Sequence, residues 1–225
     1  MELTAFAQWL NTAFSGFDYA ILQFFHELAL AADPVVRPLA LLLHVIGDGG
    51  IFSFLLAALF LLFPKTRRAG VGIILAVAIG AIFTNLTIKL MVARPRPFAI
   101  DPVFRSWWEF IGAPAQGEFS FPSGHATAAM ASMTAVCLCL RKKWYVICPA
   151  MLYALLMGAS RNYLMVHYPT DVIGGILVGA VAGTVAFFIA RKLWLLAERN
   201  ESKPFCRFLL YANVKNLGKK KTEES

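Results

Sequence analysis

Charged residues are scarce in this chain. Only 15% of its 225 residues are Asp, Glu, Lys or Arg, whereas 59% are hydrophobic. In soluble domains roughly a quarter of all residues are charged. A chain of this length cannot hide so much apolar surface in its own core, because a domain of this size leaves much of its surface exposed. The composition argues against a soluble protein, excludes intrinsic disorder and favours a membrane-embedded domain.

Cysteines are also few, since four in 225 residues are too few for a disulfide scaffold. Cys137 and Cys139 lie two apart in an apolar run, on different faces of a helix. We therefore predict buried, reduced thiols rather than a shared metal. Residues 1–13 have neither a basic flank nor a small-residue cleavage site, so we expect no removable signal peptide there.

Positive charge is in excess, with a net charge of +8, and its placement indicates membrane topology. Basic clusters at 65–68, at 141–143 and from 191 onward lie in short hydrophilic breaks or in the tail, as expected of cytoplasmic segments. No nucleic-acid partner is therefore expected. Five basic residues lie in the alternate breaks and need another explanation: Lys89, Arg94, Arg96, Arg105 and Arg161.

Long apolar runs predict an all-α, polytopic membrane helical bundle. Residues 17–45 are interrupted by charges and prolines, and they form either one broken span or an interfacial helix followed by a half-span. Counting this region gives about six transmembrane helices, with both termini in the cytoplasm and the polar breaks 47–50, 89–121 and 161–170 on the extracytoplasmic face. The five clear candidate spans, each near the required length of about 20 residues, are 46–63, 69–91, 122–140, 144–160 and 170–192.

The chain divides into a membrane part and a tail. Residues 1–194 are predicted to form the membrane-embedded domain, and residues 195–225 a basic cytoplasmic tail. Within the tail, residues 204–217 suit a short interfacial helix on anionic lipid. In the last span, glycines recur every four residues at 175, 179 and 183, a spacing that predicts close helix packing.

Two separated segments place cations and a helix start on the same predicted side of the membrane. Lys89 ends an apolar helix, where a charge must snorkel or find a partner, and Arg96 follows among stiffening prolines. The segment Pro122–Ser123–Gly124–His125 is typical of a helix start, whose free N–H groups and dipole bind anions such as phosphate. For the Ser123–Gly124 pair alone, a simple helix cap is the plainer interpretation.

A third segment adds a possible nucleophile. Arg161 and His167 precede Pro169, which places Asp171 in the first turn of the next helix. A carboxylate there can accept a hydrogen bond from one imidazole nitrogen and leave the other as a nucleophile or base. The inventory of cations, two histidines and one acid, with no acidic cluster suited to magnesium, fits phosphoryl transfer without a metal or another cofactor.

The three segments together resemble the signature of the type 2 phosphatidic acid phosphatase (lipid phosphate phosphatase) superfamily. That superfamily includes bacterial undecaprenyl pyrophosphate phosphatases and, more distantly, vanadium haloperoxidases. The likeness covers the motif region 89–171 and, through the six-span plan, most of the chain except the tail. Its motifs are Lys89 with six residues before Arg96–Pro97, then Pro122–Ser123–Gly124–His125, then Ser160–Arg161 with five residues before His167 and three more before Asp171.

The resemblance implies a metal-independent membrane phosphatase that works through a phosphohistidine. His167 would attack phosphorus and Asp171 would orient it, while His125 would protonate the leaving oxygen and then assist the attack of water. Arg94 is not a signature position, and we interpret it as part of the general positive field or as a surface residue. The residues implied to bind phosphate are Lys89, Arg96, Ser123, Gly124 and Arg161.

The substrate is expected to be a membrane lipid phosphate, with undecaprenyl pyrophosphate favoured and phosphatidylglycerol phosphate or phosphatidic acid as alternatives. Residues 99–121 form a long aromatic connection, which is either an interfacial lid that guides the lipid or a plain membrane anchor. A non-catalytic binder or transporter of anionic lipid is the alternative from another class. His44 and Asp48 either border the site or are ordinary loop polarity. The oligomeric state stays open.

Overall fold

A computed structural model describes residues 3–117, 119–140 and 143–212. Helices dominate this part of the chain, and an isolated bridge between Pro95 and Phe119 is its only β-type pairing. The all-α prediction is confirmed. The helices are α1 (Ala5–Ala13), α2 (Ser15–Gly47), α3 (Ile51–Leu61), α4 (Arg67–Ala81), α5 (Lys89–Val92), α6 (Pro97–Ile100), α7 (Pro102–Ile111), α8 (Gly124–Cys139), α9 (Trp144–Tyr163), α10 (Pro169–Arg199) and α11 (Pro204–Tyr211).

Three helical segments of the described chain are long and apolar enough to cross a membrane. They are the α2–α3 region Ser15–Leu61, the α4–α5 region Arg67–Val92, and α10. A π-helical stretch, Ile82–Ile88, makes α4 and α5 continuous, and α8 is a shorter apolar helix. The large side chains Leu177, Val181 and Phe188 on α10 are 58% to 65% exposed, as expected of a surface that faces lipid.

Residues 17–45, which the sequence left open between two interpretations, lie within the single helix α2. Ala32 has non-helical backbone angles at a kink in this helix. Pro34 and Pro38 follow it, and each lacks the N–H group that would bond to the preceding turn. The prolines therefore bend the segment without ending it.

Helix α8 is the centre of the bundle and packs against α4, α9 and α10. Its buried face is rich in small side chains, among them Ala126, Ala131 and Ala135. The glycines of α10 face it: a methyl group on Gly179 would lie 2.6 Å from the Thr127 carbonyl oxygen. The prediction that this glycine spacing serves close helix packing is confirmed. Cys137 and Cys139 are buried thiols on α8, also as expected.

The aromatic segment 99–121 is partly helical rather than a long irregular connection. Helix α7 forms because Pro102 begins it and the Asp101 carboxylate caps the Val103 N–H at 2.8 Å. The Trp107 ring then stacks on His26 of α2, with the ring centres 4.6 Å apart. This segment is thus docked on α2.

Helix α11 covers only the first part of the segment 204–217 predicted as an interfacial helix, and the tail from residue 213 lies outside the described residues. Arg67 at the start of α4 anchors it, because its guanidinium donates to the carbonyl oxygens of Leu209 at 2.7 Å and Phe208 at 3.3 Å. Arg68 beside it donates to the Cys139 carbonyl at 3.2 Å. The first basic cluster, the end of α8 and α11 therefore lie at one end of the bundle.

We expect Gly179→Ala to destabilise the protein, because the new methyl group would also lie 2.9 Å from Met130 Cβ. Small-to-large changes in a packed interior cost about 1–3 kcal/mol. Thermal unfolding in detergent would measure the loss. Gly16→Ala is the control, since nothing lies within 4 Å of the methyl group added there; equal unfolding temperatures for the two variants would contradict the packing role.

Candidate active site

A cavity of about 480 Å³ opens at the end of the bundle where α8 begins. Its wall combines residues from all three motifs of the sequence with the turn between α2 and α3. Asp48 and Gly49 come from that turn, and Asn85 comes from the π-helical stretch. The motif residues on the wall are Lys89, Arg96, Gly124, His125 and His167.

His167 lies in the loop between α9 and α10 and is only 2% exposed. Its Nε2 atom is 3.3 Å from a guanidinium nitrogen of Arg96. Because arginine can only donate, this contact leaves the lone pair on Nε2 and the proton on Nδ1. Nδ1 faces the Asp171 carboxylate at 3.6 Å, longer than a hydrogen bond. Catalytic hydrogen bonds are often long before substrate binds.

Burial and the positive charges of Arg96, Lys89 and Arg161 lower the pKa of His167 well below its ordinary value. Both effects disfavour the charged imidazolium. The ring is therefore neutral at neutral pH, which is the state that a nucleophile needs. Arg96 itself stays charged there, since burial lowers its pKa only to about 10.

Asp171 lies in the first turn of α10, as predicted from Pro169. Its carboxylate accepts the Tyr168 N–H at 2.8 Å, and its backbone carbonyl accepts the Ser123 N–H at 3.0 Å. The second bond joins the starts of α8 and α10. Both helices therefore direct their N-terminal ends at the same place, where an anion is stabilised.

Ser123 precedes α8 and makes no side-chain cap bond, so the simple capping interpretation does not hold. Its hydroxyl is buried and has no hydrogen-bond partner. An unsatisfied buried hydroxyl is costly, and a bound oxyanion would supply the missing partner. Gly124 follows at the first position of the helix, with its backbone on the cavity wall.

Arg161 is fully buried beside the cavity rather than on its wall. It donates to Nδ1 of His44 at 2.9 Å and to the Ser160 hydroxyl at 3.2 Å. The His44 carbonyl in turn accepts from Nε2 of His125 at 3.3 Å. His44 therefore borders the site and is not ordinary loop polarity. The motif pattern could not place it, because it lies on α2, 117 residues before Arg161.

The position of Arg94 contradicts its interpretation as part of the general positive field or as a surface residue. Its side chain is fully buried and donates to Asp171 at 2.7 Å and to Asp18 of α2 at 2.8 Å. Local sequence could not show this, because Asp18 lies 76 residues away on another helix.

No group of three His, Cys, Asp or Glu side chains in the described part of the chain could hold a metal ion. The site is instead a pocket of buried cations, two helix starts and histidines. Such a pocket within a helical membrane bundle is typical of a class of membrane protein whose site favours anionic groups such as phosphate.

Comparison with known proteins gives the particular family. Residues 65–195 match the model of the PAP2 superfamily, which is more than half of the chain. The chain belongs to the PAP2 superfamily, and the resemblance seen in its motifs is confirmed. It is a multi-pass membrane protein.

Curated relatives include two undecaprenyl-diphosphatases. The chain is 32% identical over 124 residues to that of Sulfolobus acidocaldarius, covering 55% of this chain and 56% of the relative. It is 30% identical over 136 residues to undecaprenyl-diphosphatase BcrC of Bacillus subtilis, covering 60% and 66%. The chain thus spans only about half to two thirds of these relatives.

A solved structure shares the fold. The crystal structure of Aquifex aeolicus LpxE superposes with a TM-score of 0.59 and 25% identity, covering 73% of this chain and 93% of that one.

We expect orthovanadate, a phosphate analogue, to raise the thermal-unfolding temperature in detergent, because it would bind the cationic pocket. At a hundredfold excess over its Kd, a ligand stabilises by about 2.7 kcal/mol. Arg96→Met should abolish most of the shift. Arg105→Met should keep it, since Arg105 is exposed and donates to the Phe98 carbonyl on α6. A similar loss in both variants would show that the binding is nonspecific.

Proposed function

We propose that this protein is an integral membrane lipid phosphatase that hydrolyses undecaprenyl pyrophosphate through a phosphohistidine. The single observation that carries the proposal is the placement of His167: its Nε2 faces Arg96 on the cavity wall and its Nδ1 faces Asp171. A neutral imidazole with one nitrogen held toward a carboxylate is the arrangement of an activated nucleophile.

The reaction has two steps. In the first, Nε2 of His167 attacks phosphorus and a P–N bond forms. The P–O bond to the lipid phosphate breaks while His125, protonated in the complex with the anionic phosphate, gives its proton to the leaving oxygen. In the second, water attacks phosphorus, His125 takes a proton from it, and the P–N bond breaks to release phosphate. Asp171 stabilises the positive charge that develops on His167.

The surrounding groups stabilise charge on the phosphate oxygens. Lys89 and Arg96 come from the wall of the cavity, and the Ser123 hydroxyl and the Gly124 N–H come from the start of α8. Arg161, buried behind the wall, completes the set of cations. Positioning and neutralisation of this kind carry most of the catalysis in phosphoryl transfer, and we propose that no metal takes part.

The substrate assignment rests on the relatives named undecaprenyl-diphosphatase. A cavity of about 480 Å³ suits a diphosphate head group, while the chain of the lipid would stay in the bilayer. Phosphatidylglycerol phosphate and phosphatidic acid present the same terminal phosphate to these residues. They are therefore the alternative substrates.

We propose that the site faces the extracytoplasmic side and that the C-terminus is cytoplasmic. Helix α8 begins at the cavity and ends at Cys139, where Arg68 binds. The cluster 65–68 and α11 thus lie at the end opposite the cavity, and basic segments remain in the cytoplasm. Residues 195–225 would form the cytoplasmic tail, whose first residues continue α10 to Arg199. The exposed Phe205 and Phe208 of α11 would lie at the interface.

A binder or transporter of anionic lipid is the candidate from another class, and the cationic pocket supports it. The two candidate functions require different residues. Binding needs the cations, whereas hydrolysis also needs the His167 nucleophile.

The deciding measurement is phosphate release from undecaprenyl pyrophosphate by the purified protein in detergent with EDTA present. We expect the parent to release phosphate and His167→Ala to lose nearly all activity while still binding vanadate. Phosphatidic acid and phosphatidylglycerol phosphate tested alongside would rank the substrates. No release from any of the three, with the lipid still bound, would favour the non-catalytic binder.

The docked helix α7 gives the aromatic segment a testable role as a lipid guide. Trp108 stacks on Phe98 with the ring centres 4.7 Å apart, and Trp107 stacks on His26. Replacing both tryptophans with alanine should reduce turnover of long-chain lipids more than turnover of a short, soluble phosphate ester. Equal losses for both substrates would show that the helix only anchors the protein.

A further inference from the structure

We infer that Arg94 is a positioning residue that holds the Asp171–His167 pair in its reactive arrangement, and that Asp18 on α2 holds Arg94. The inference rests on the roles proposed above for His167 and Asp171. Arg94 does not line the cavity of the candidate active site, so any effect it has on the reaction passes through other residues.

The guanidinium of Arg94 divides its donors between two carboxylates. One terminal nitrogen donates to Oδ1 of Asp171 at 2.7 Å, and the other donates to Oδ2 of Asp18 at 2.8 Å. All three side chains are nearly or fully buried. Because one cation serves two buried acids, its loss would leave both without a positive partner, and one of them would take up a proton.

The contact to Asp171 also fixes how its carboxylate is turned. Oδ1 is held by Arg94, so Oδ2 is the oxygen that accepts the Tyr168 N–H and faces Nδ1 of His167. A protonated or rotated Asp171 would no longer favour the proton on Nδ1, and the tautomer would then depend on the 3.3 Å contact between Nε2 and Arg96. The nucleophilic lone pair on Nε2 would then be populated only part of the time.

Arg94 reaches His167 by a second route. Its guanidinium carbon lies 3.8 Å from the ring centre of Tyr168, the residue that follows His167 in the chain. A cation over an aromatic face is an attractive contact. The loop that carries the nucleophile is therefore held at both Tyr168 and Asp171 by the same side chain.

Asp18 completes the arrangement from the N-terminal part of the chain. Its carboxylate accepts the Thr170 N–H at 3.0 Å and the Thr170 hydroxyl at 2.8 Å, next to Asp171. Asn11, near the end of α1, accepts from Nε of Arg94 at 2.8 Å. Helices α1 and α2 thus fix both Arg94 and the first turn of α10.

The kinetic test compares Arg94→Ala and Arg94→Lys with the parent on undecaprenyl pyrophosphate. Small displacements of reacting groups cost on the order of 100-fold in rate, so we expect kcat of Arg94→Ala to fall about 100-fold with little change in KM. Lysine keeps the charge and should recover about tenfold. Arg94 also lines a second cavity of about 590 Å³, so millimolar guanidinium should partly restore Arg94→Ala.

Two further variants control for loss of folding. Arg67→Ala removes another buried arginine, at the opposite end of the bundle, and should leave kcat unchanged. Asp18→Asn/Arg94→Ala removes one charge of each sign, and should still lose kcat because Asp171 Oδ1 has lost its Arg94 donor. A parent-like kcat in this double variant, or in Arg94→Ala, would overturn the inference.

A measurement without turnover separates this inference from the proposed function. In ¹⁵N spectra of histidine-labelled protein, with the His167 signals identified by their loss in His167→Ala, the parent should show one tautomer with the proton on Nδ1. Arg94→Ala should show mixed tautomers. Mixed tautomers in Arg94→Ala would support the inference even if the parent hydrolyses no lipid. In that case only the proposed phosphatase function would be contradicted. An unchanged tautomer would overturn the inference even if the parent is active.

Discussion

The close, parallel approach of α8 and α10 is the constraint on which the rest of the site depends. Glycines at 175, 179 and 183 let the backbone of α10 lie against the carbonyl groups of α8 in a constant register. The two helices therefore begin side by side, and the Ser123 N–H bonds to the Asp171 carbonyl. Two positive helix ends then point at one place, which already favours an oxyanion before any cation is added.

The side chains around this point add more positive charge than the acids nearby can offset. Lys89, Arg96 and Arg161 surround His167, while Asp171 is already paired with Arg94. Cations of like charge repel each other, and an anion placed among them would reduce that repulsion. The same surplus keeps His167 neutral. The proposed phosphate binding and the proposed nucleophile role of His167 would thus have one electrostatic origin.

Helix α2 connects the N-terminal region to this chemistry. The PAP2 family model begins at residue 65, yet α2 supplies Asp18, which binds Arg94, and His44, which binds Arg161. The proline-bent helix α2 contacts both the motif residue Arg161 and Arg94, which lies outside the motifs. The part of the chain outside the family match is therefore built into the site.

The sequence by itself determined the helical membrane class and the order of the three motifs, because apolar run length and motif spacing are local properties of the chain. The glycine spacing also predicted its packing role, since a four-residue repeat falls on one helix face. The sequence did not predict whether the prolines of α2 end the helix or bend it, because proline can do either. Only the tertiary structure decided that Arg94 binds Asp171 and that His44 binds Arg161. Their partners lie far away in the chain, and a buried ion pair between distant helices leaves no local pattern.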